Sequence, residues 1–134
     1  DRVHTVSMHG KNNFPFRKKT SNWDLEFENG TGDEEYLTEL ERVLDKLVSE
    51  PFDLIFFQTG VDALASDALG LLNLSREGLQ KRNKKVFQWR NTMKLPMILF
   101  MGGGYAKPIE DTVDAFCDLF LYAAEEKKRL IVDR

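Results

Sequence analysis

Two short runs of apolar residues, DLIFFQ at 53–58 and PMILFM at 96–101, constrain the fold more than any other feature of the chain. Each is unbroken rather than alternating, too short for a helix, and bounded by Pro or Gly, the pattern of a strand buried on both faces. Between them SREGLQKRNKKVFQWRNTM reads as a helix from Ser75, with Leu79, Val86, Phe87, Arg90 and Met93 inward and Lys and Arg outward. Strand, helix and strand in this order make a β-α-β unit, which implies a parallel sheet with helices on both faces and an α/β class.

The remaining helices follow from the same periodicity. In DEEYLTELERVLDKLVSE, Tyr36, Leu37, Leu40, Val43, Leu44, Leu47 and Val48 share one face, Asp33 is placed to cap the N-terminus, and Pro51 stops the pattern. Pro108 suits a first helical position, and Ile109, Val113, Phe116, Cys117, Phe120 and Ala124 mark the inner face expected of a last helix. A strand-like segment at 3–8 opens the chain almost at once, as expected of a start in mid-domain. Residues 11–32 and 59–74 fit no regular element. The second of these stretches and MGGGYAKP both leave the C-terminal ends of parallel strands, the edge where open α/β sheets build their sites.

With 134 residues and 42% hydrophobic content the chain suits a single unit, residues 1–134. Nineteen Lys and Arg face 22 Asp and Glu, and a net charge of -3 gives no footprint for direct nucleic-acid binding. One cysteine, Cys117, rules out an internal disulfide and fits a reducing compartment, cytoplasm or nucleus. No run is long enough to span a membrane, and DRVHTVSMHG lacks the pattern of a signal peptide, so the expectation is a soluble, unexported chain.

Chemistry has few carriers. Asp62, two residues past a strand-end glycine, can be a metal ligand, a general base or a loop cap, while Ser66 and Asp67 beside it read as loop-stabilising partners. Gly102, Gly103 and Gly104 let backbone approach a ligand, and Tyr105 offers a phenol able to stabilise an oxyanion. A nucleotide turn is the competing reading of MGGGY, but neither G-x-G-x-x-G nor G-x-x-x-x-G-K-[ST] is present. His4 and His9 lack metal-ligand spacing and read as structural, and Cys117 as a buried, inert thiol. The basic clusters Arg17-Lys18-Lys19, 81–85 and Lys127-Lys128-Arg129 read as solvated faces, the first able to meet an acidic ligand near the crevice.

VHTVSMHGKNNFPFRK, GTGDEEYL, FFQTGVDALASDALGLLNLS and MGGGY, taken in order from residue 2 to about residue 124, resemble the histone deacetylase and acetylpolyamine amidohydrolase superfamily. HGKNNFPFRK, in place of a Gly-Thr-Gly form, is most similar to the class IV and bacterial deacetylase-like branch. The resemblance implies the C-terminal part of an arginase/deacetylase-type domain and a zinc-dependent hydrolase acting on acyl-lysine in proteins or on a related acylated amine. It implies Asp62 as a zinc carboxylate and Tyr105 as the oxyanion-stabilising phenol. Phe14 would be an aromatic wall of the acyl-lysine tunnel, lined also by Gly103 and Gly104. Ser7 and the carbonyl of Met8 would belong to a monovalent-cation site, with K⁺ as its occupant.

The family's other zinc ligands form an Asp-x-His motif upstream of this opening strand, and its catalytic histidine pair lies earlier still. This sequence holds neither, whereas catalytic zinc takes three protein ligands. The isolated chain is therefore expected to be inactive and to expose strand edges and apolar helix faces. Through these it would pair with itself or with a missing N-terminal half, or serve as an inactive interaction or oligomerisation module. A small nucleotide-binding domain is the third reading.

Overall fold

The computed structural model describes residues 3–132; residues 1, 2, 133 and 134 of the expected single unit lie outside the described residues, as does the first residue of the motif match. In chain order the elements are β1 (Val6–Gly10), β2 (Trp23–Phe27), α1 (Asp33–Leu47), β3 (Ile55–Gln58), α2 (Arg76–Met93), β4 (Met97–Phe100) and α3 (Glu110–Val132). The strands pair in parallel, in two separate two-stranded sheets among the described residues, and an isolated antiparallel bridge joins Asp67 to Ala106. Val6 to Gly10 runs beside Trp23 to Phe27, and Ile55 to Gln58 beside Met97 to Phe100. The expected β-α-β unit is the second pair with α2 as its crossover.

β2 lies inside residues 11–32, where no element was expected. Its signal is an alternation in WDLEF, with Trp23, Leu25 and Phe27 turned in and Asp24 and Glu26 out, the mark of a half-covered strand. β3 and β4 also depart from expectation, because among the described residues only one face of each is covered. Ile55, Phe57, Met97 and Leu99 are half-buried, whereas Phe56, Ile98 and Phe100 are exposed, Phe56 at 65%.

One core joins the pieces. Phe27, Tyr36, Val61, Leu64, Leu72, Leu74, Leu79, Phe87, Phe116 and Leu119 are buried together, and Met8, Leu25, Met97 and Leu99 pack against them. α1 buries Tyr36, Leu40, Val43 and Leu47 as its periodicity requires. Its expected cap works elsewhere: Gly32 holds the N-cap position without a side-chain bond, and Asp33 is the first helical residue. The Asp33 carboxylate instead accepts from the backbone N–H and the hydroxyl of Ser75, at 2.8 and 2.6 Å, and the Ser75 oxygen in turn accepts from Gly78 N–H at 2.9 Å. One carboxylate thus helps to cap α2 from α1. Gly78 is required by that contact, since a Cβ there would lie 2.0 Å from Asp33 Oδ1.

α3 is turned from the expected angle. Thr112, Ala115, Phe116, Leu119 and Glu126 are buried, while Ile109, Val113, Cys117, Phe120 and Ala124 face outward, so of the expected stripe only Phe116 is inside. Cys117 is accordingly an exposed thiol, not a buried one. The reason is compositional: the first half of α3 is apolar around most of its circumference, so sequence alone does not single out a face. Pro108 precedes the helix and is not its first residue. Among the described residues no helix is long and apolar enough to cross a membrane.

Candidate functional site

The site edge is built from the two loops that leave β3 and β4. Thr59, fully buried, continues the strand pairing by donating its N–H and its hydroxyl to the Phe100 carbonyl, both at 3.0 Å. Val61 N–H then donates to Gly103 O at 2.7 Å, Ala68 N–H to Tyr105 O at 3.0 Å, and Lys107 N–H to Ser66 O at 2.9 Å. Asp67 joins both loops, as its expected supporting role requires. Its Oδ1 accepts from the backbone N–H groups of Leu69 and Gly70 at 2.9 and 2.7 Å, and its Oδ2 accepts from Tyr105 N–H at 2.7 Å. The loops that carry Asp62 and Tyr105 are therefore bonded to each other along their length.

Glycines set how closely they meet. A Cβ on Gly103 would lie 3.1 Å from Asp62 Oδ2, one on Gly60 2.8 Å from Asp62 Oδ1, and one on Gly70 only 1.9 Å from the Asp62 carbonyl oxygen. Asp62 is wedged between three backbones that have no side chains to displace it. Gly104 has a different partner, for a Cβ there would strike the Val61 and Thr112 methyls at 2.5 and 2.9 Å, so it is needed for packing of the loop on α3.

Asp62 is half-buried and makes no ion pair among the described residues. Burial pushes its carboxyl above the ordinary value of 3.8; its own backbone N–H counters this, neighbouring Asp67 adds to the rise, and the charge of Arg82 opposes it. Tyr105 has its backbone N–H held by Asp67 and is 59% exposed as a residue.

Phe14 is 84% exposed and meets Phe16 edge to face, with ring centroids 6.2 Å apart. Its neighbour Asn13 accepts through Oδ1 from Leu71 N–H at 3.0 Å, which ties the Phe14 loop to the Asp62 loop. Lys18, expected in a solvated cluster, donates to the carbonyls of Lys11, Asn13 and Pro15 at 2.8, 2.7 and 3.3 Å, and so folds its own loop. Ser7 and Met8 lie on β1. The Ser7 hydroxyl is bonded to His9 Nδ1 at 2.7 Å, and Met8 packs against the core that includes Val61. His4 stacks edge to face on Trp23 at 5.0 Å, a structural role.

Arg82 and Asn83 fall within the cluster at 81–85 that sequence reasoning assigns to a solvated face, yet both are buried. The signal that could have found them is their spacing: Arg82 and Asn83 fall three and four residues after Leu79 and before Val86, on the inner stripe of α2.

The histone deacetylase domain profile matches residues 1–119. The chain belongs to the histone deacetylase family. It is 39% identical over 112 residues to an uncharacterised protein of Picosynechococcus sp., covering 83% of this chain and 37% of that one. It is 31% identical over 112 residues to histone deacetylase 2 of Arabidopsis thaliana, covering 80% and 29%. Among solved structures it is similar to an HDAC homolog from Aquifex aeolicus, with a TM-score of 0.73, 26% identity and coverage of 90% and 34%. Acetylpolyamine aminohydrolase from Burkholderia pseudomallei shares the fold, with a TM-score of 0.70, 18% identity and coverage of 87% and 37%. The chain thus spans about a third of the length of these relatives, and its α/β architecture corresponds to part of the arginase/deacetylase-type fold.

Proposed function

We propose that this chain forms one side of the active site of a zinc-dependent amide hydrolase that removes acyl groups from lysine in proteins or from a related acylated amine. The observation that carries the reading is the bonding of the Asp62 loop to the glycine and tyrosine loop, which sets a half-buried carboxylate beside the backbone that leads to an exposed phenol. Family membership supports a deacetylase-type hydrolase.

Asp62 has the donor chemistry and partial burial of one zinc ligand. Catalytic zinc takes three protein ligands and a water, and among the described residues no group of three His, Cys, Asp or Glu is placed to hold a metal. The other ligands and the general base are therefore assigned to polypeptide outside this sequence. When bound, zinc would polarise the amide carbonyl and acidify its water. Tyr105 would donate its O–H to the oxyanion, Phe14 and the Gly103-Gly104 backbone would flank the substrate's path, and Ser7 with the Met8 carbonyl would hold a monovalent cation, K⁺. A cytoplasmic or nuclear setting accords with the lone cysteine. The exposed apolar face of α3, β3 and β4 favours a second reading, an inactive chain that serves as an interaction module or pairs with an N-terminal half.

In the complete protein, Tyr105→Phe should lower kcat by about 10²-fold and Asp62→Ala should reduce bound zinc. Wild-type turnover in the first and wild-type metal content in the second would reject these assignments. An upstream coding region without Asp-x-His and a histidine pair would remove the hydrolase reading.

A further inference from the structure

Arg82 is a charge that no part of this reading uses. It lies in the middle of α2, is 5% exposed, and belongs to none of the ion pairs among the described residues. Its guanidinium donates from Nη1 to Gly60 O at 2.6 Å and from Nε and Nη2 to Asn83 Oδ1 at 3.1 and 2.9 Å, and the buried Tyr36 side chain of α1 also faces it. The group sits 5.8 Å over the Phe57 ring. Burying a cation without a carboxylate in direct contact is costly, so its place in the core calls for a physical reason.

The reason is in the peptide it holds. The Gly60 carbonyl and the Val61 N–H belong to one planar unit, and that N–H donates to Gly103 O at 2.7 Å. The Gly60-Val61 peptide, one residue ahead of the peptide that carries Asp62, is therefore gripped at both edges, by a cation from α2 on one and by the glycine loop on the other. A guanidinium on the carbonyl also polarises the unit and strengthens the bond its N–H makes. With that plane held, few backbone torsions are left to vary in placing the Asp62 carboxylate, and Gly60, Gly70 and Gly103 close the space around it.

We propose that Arg82 is the positioning residue of Asp62, acting through the Gly60-Val61 peptide and joining the Asp62 loop to Gly103. The functional weight of this rests on the reading of Asp62 as a ligand; the positioning itself is measurable without metal or turnover.

The test is backbone amide exchange in the isotope-labelled chain, together with the carboxyl-carbon resonance of Asp62. Arg82→Met keeps an unbranched apolar stem in the core and removes both charge and fork. We expect Val61 N–H to exchange about tenfold faster and the Asp62 resonance to shift or split. Tyr105 N–H, held separately by Asp67, and the turns of α1 around Val43 and Leu47, beyond Tyr36, should keep their wild-type rates. An unchanged Val61 rate with an unchanged Asp62 signal overturns the proposal. Equal acceleration at all these sites also overturns it, since that is a general loss of stability.

Arg82→Lys keeps a cation without the fork and should restore Val61 in part; full restoration would show that charge suffices and refute positioning by the fork. If Arg82→Met does not fold, Asn83→Ala releases one prong and should give the same local pattern with smaller amplitude, its absence counting against the proposal. Failure of the zinc assignment would show in Asp62→Ala metal content, not in these exchange rates.

Discussion

The loop edge and the flank of α3 adjoin each other and are opposites in construction. At the loop edge each segment is bonded to another within the chain: Asp67 bridges Gly70 and Tyr105, Gly103 accepts from Val61, and Asn13 accepts from Leu71. On the flank, Val113, Phe120 and Leu121 are exposed around an open apolar groove of about 670 Å³ that runs from Met101 to α3, and Phe56, Ile98 and Phe100 are exposed on β3 and β4. The comparison separates two requirements that a complete enzyme would satisfy together. Geometry near Asp62 is enforced by contacts inside this chain, whereas burial of the apolar flank is not.

Four variants put that contrast at risk. Gly70→Ala puts a Cβ 1.9 Å from the Asp62 carbonyl oxygen, a backbone atom with no rotamer to relieve it, and should cost about 3 kcal/mol in urea unfolding. A cost near zero would mean that the loop yields and that its tight packing is not what holds Asp62. Asp67→Ala leaves the N–H groups of Leu69, Gly70 and Tyr105 without their acceptor and should cost about 2 kcal/mol by the same assay. Wild-type stability there would show that water replaces the carboxylate and that the edge is less enclosed than its geometry indicates.

A smaller effect comes from Asp62→Asn. Because the folded-state pKa of Asp62 is raised, its contribution is fully present below the unfolded value near 3.8 and is lost as pH rises through the folded value. The amide does not ionise and carries no such loss, so the variant should gain stability over wild type at neutral pH by a fraction of the Asp67→Ala effect. The gain should vanish below pH 3.8; a pH-independent difference would contradict burial as the cause. On the flank, Val113→Lys with Leu121→Lys should change folding stability by less than about 0.5 kcal/mol, because neither side chain is covered within the chain. A loss as large as that of Asp67→Ala would erase the distinction between the two regions.

Much of this was legible in the residues. The unbroken runs of β3 and β4, the single-faced periodicity of α1, and the start of α2 at about Ser75 are local patterns, and local patterns are what a chain expresses before it folds. The placing of Asp62 and Tyr105 on adjoining loops was legible as well, because consecutive parallel strands end on the same edge. β2 was missed although its alternation is local, because it lies in a stretch whose polar residues read as loop.

Other features depended on the rest of the molecule. Periodicity, strand length and glycine spacing were enough to dictate the parallel α/β pairing and the stations of the two loops. Only in the packed fold does Asp33 cap α2 from α1, does α3 bury Ala115 and Leu119 instead of Val113 and Phe120, and does Arg82 enter the core to hold the Gly60 carbonyl. In each case the partner is far along the chain or the helix offers more than one apolar face, so the choice is made by the packed whole; for Arg82 the spacing marks the inner stripe of α2 but not the Gly60 carbonyl it meets there.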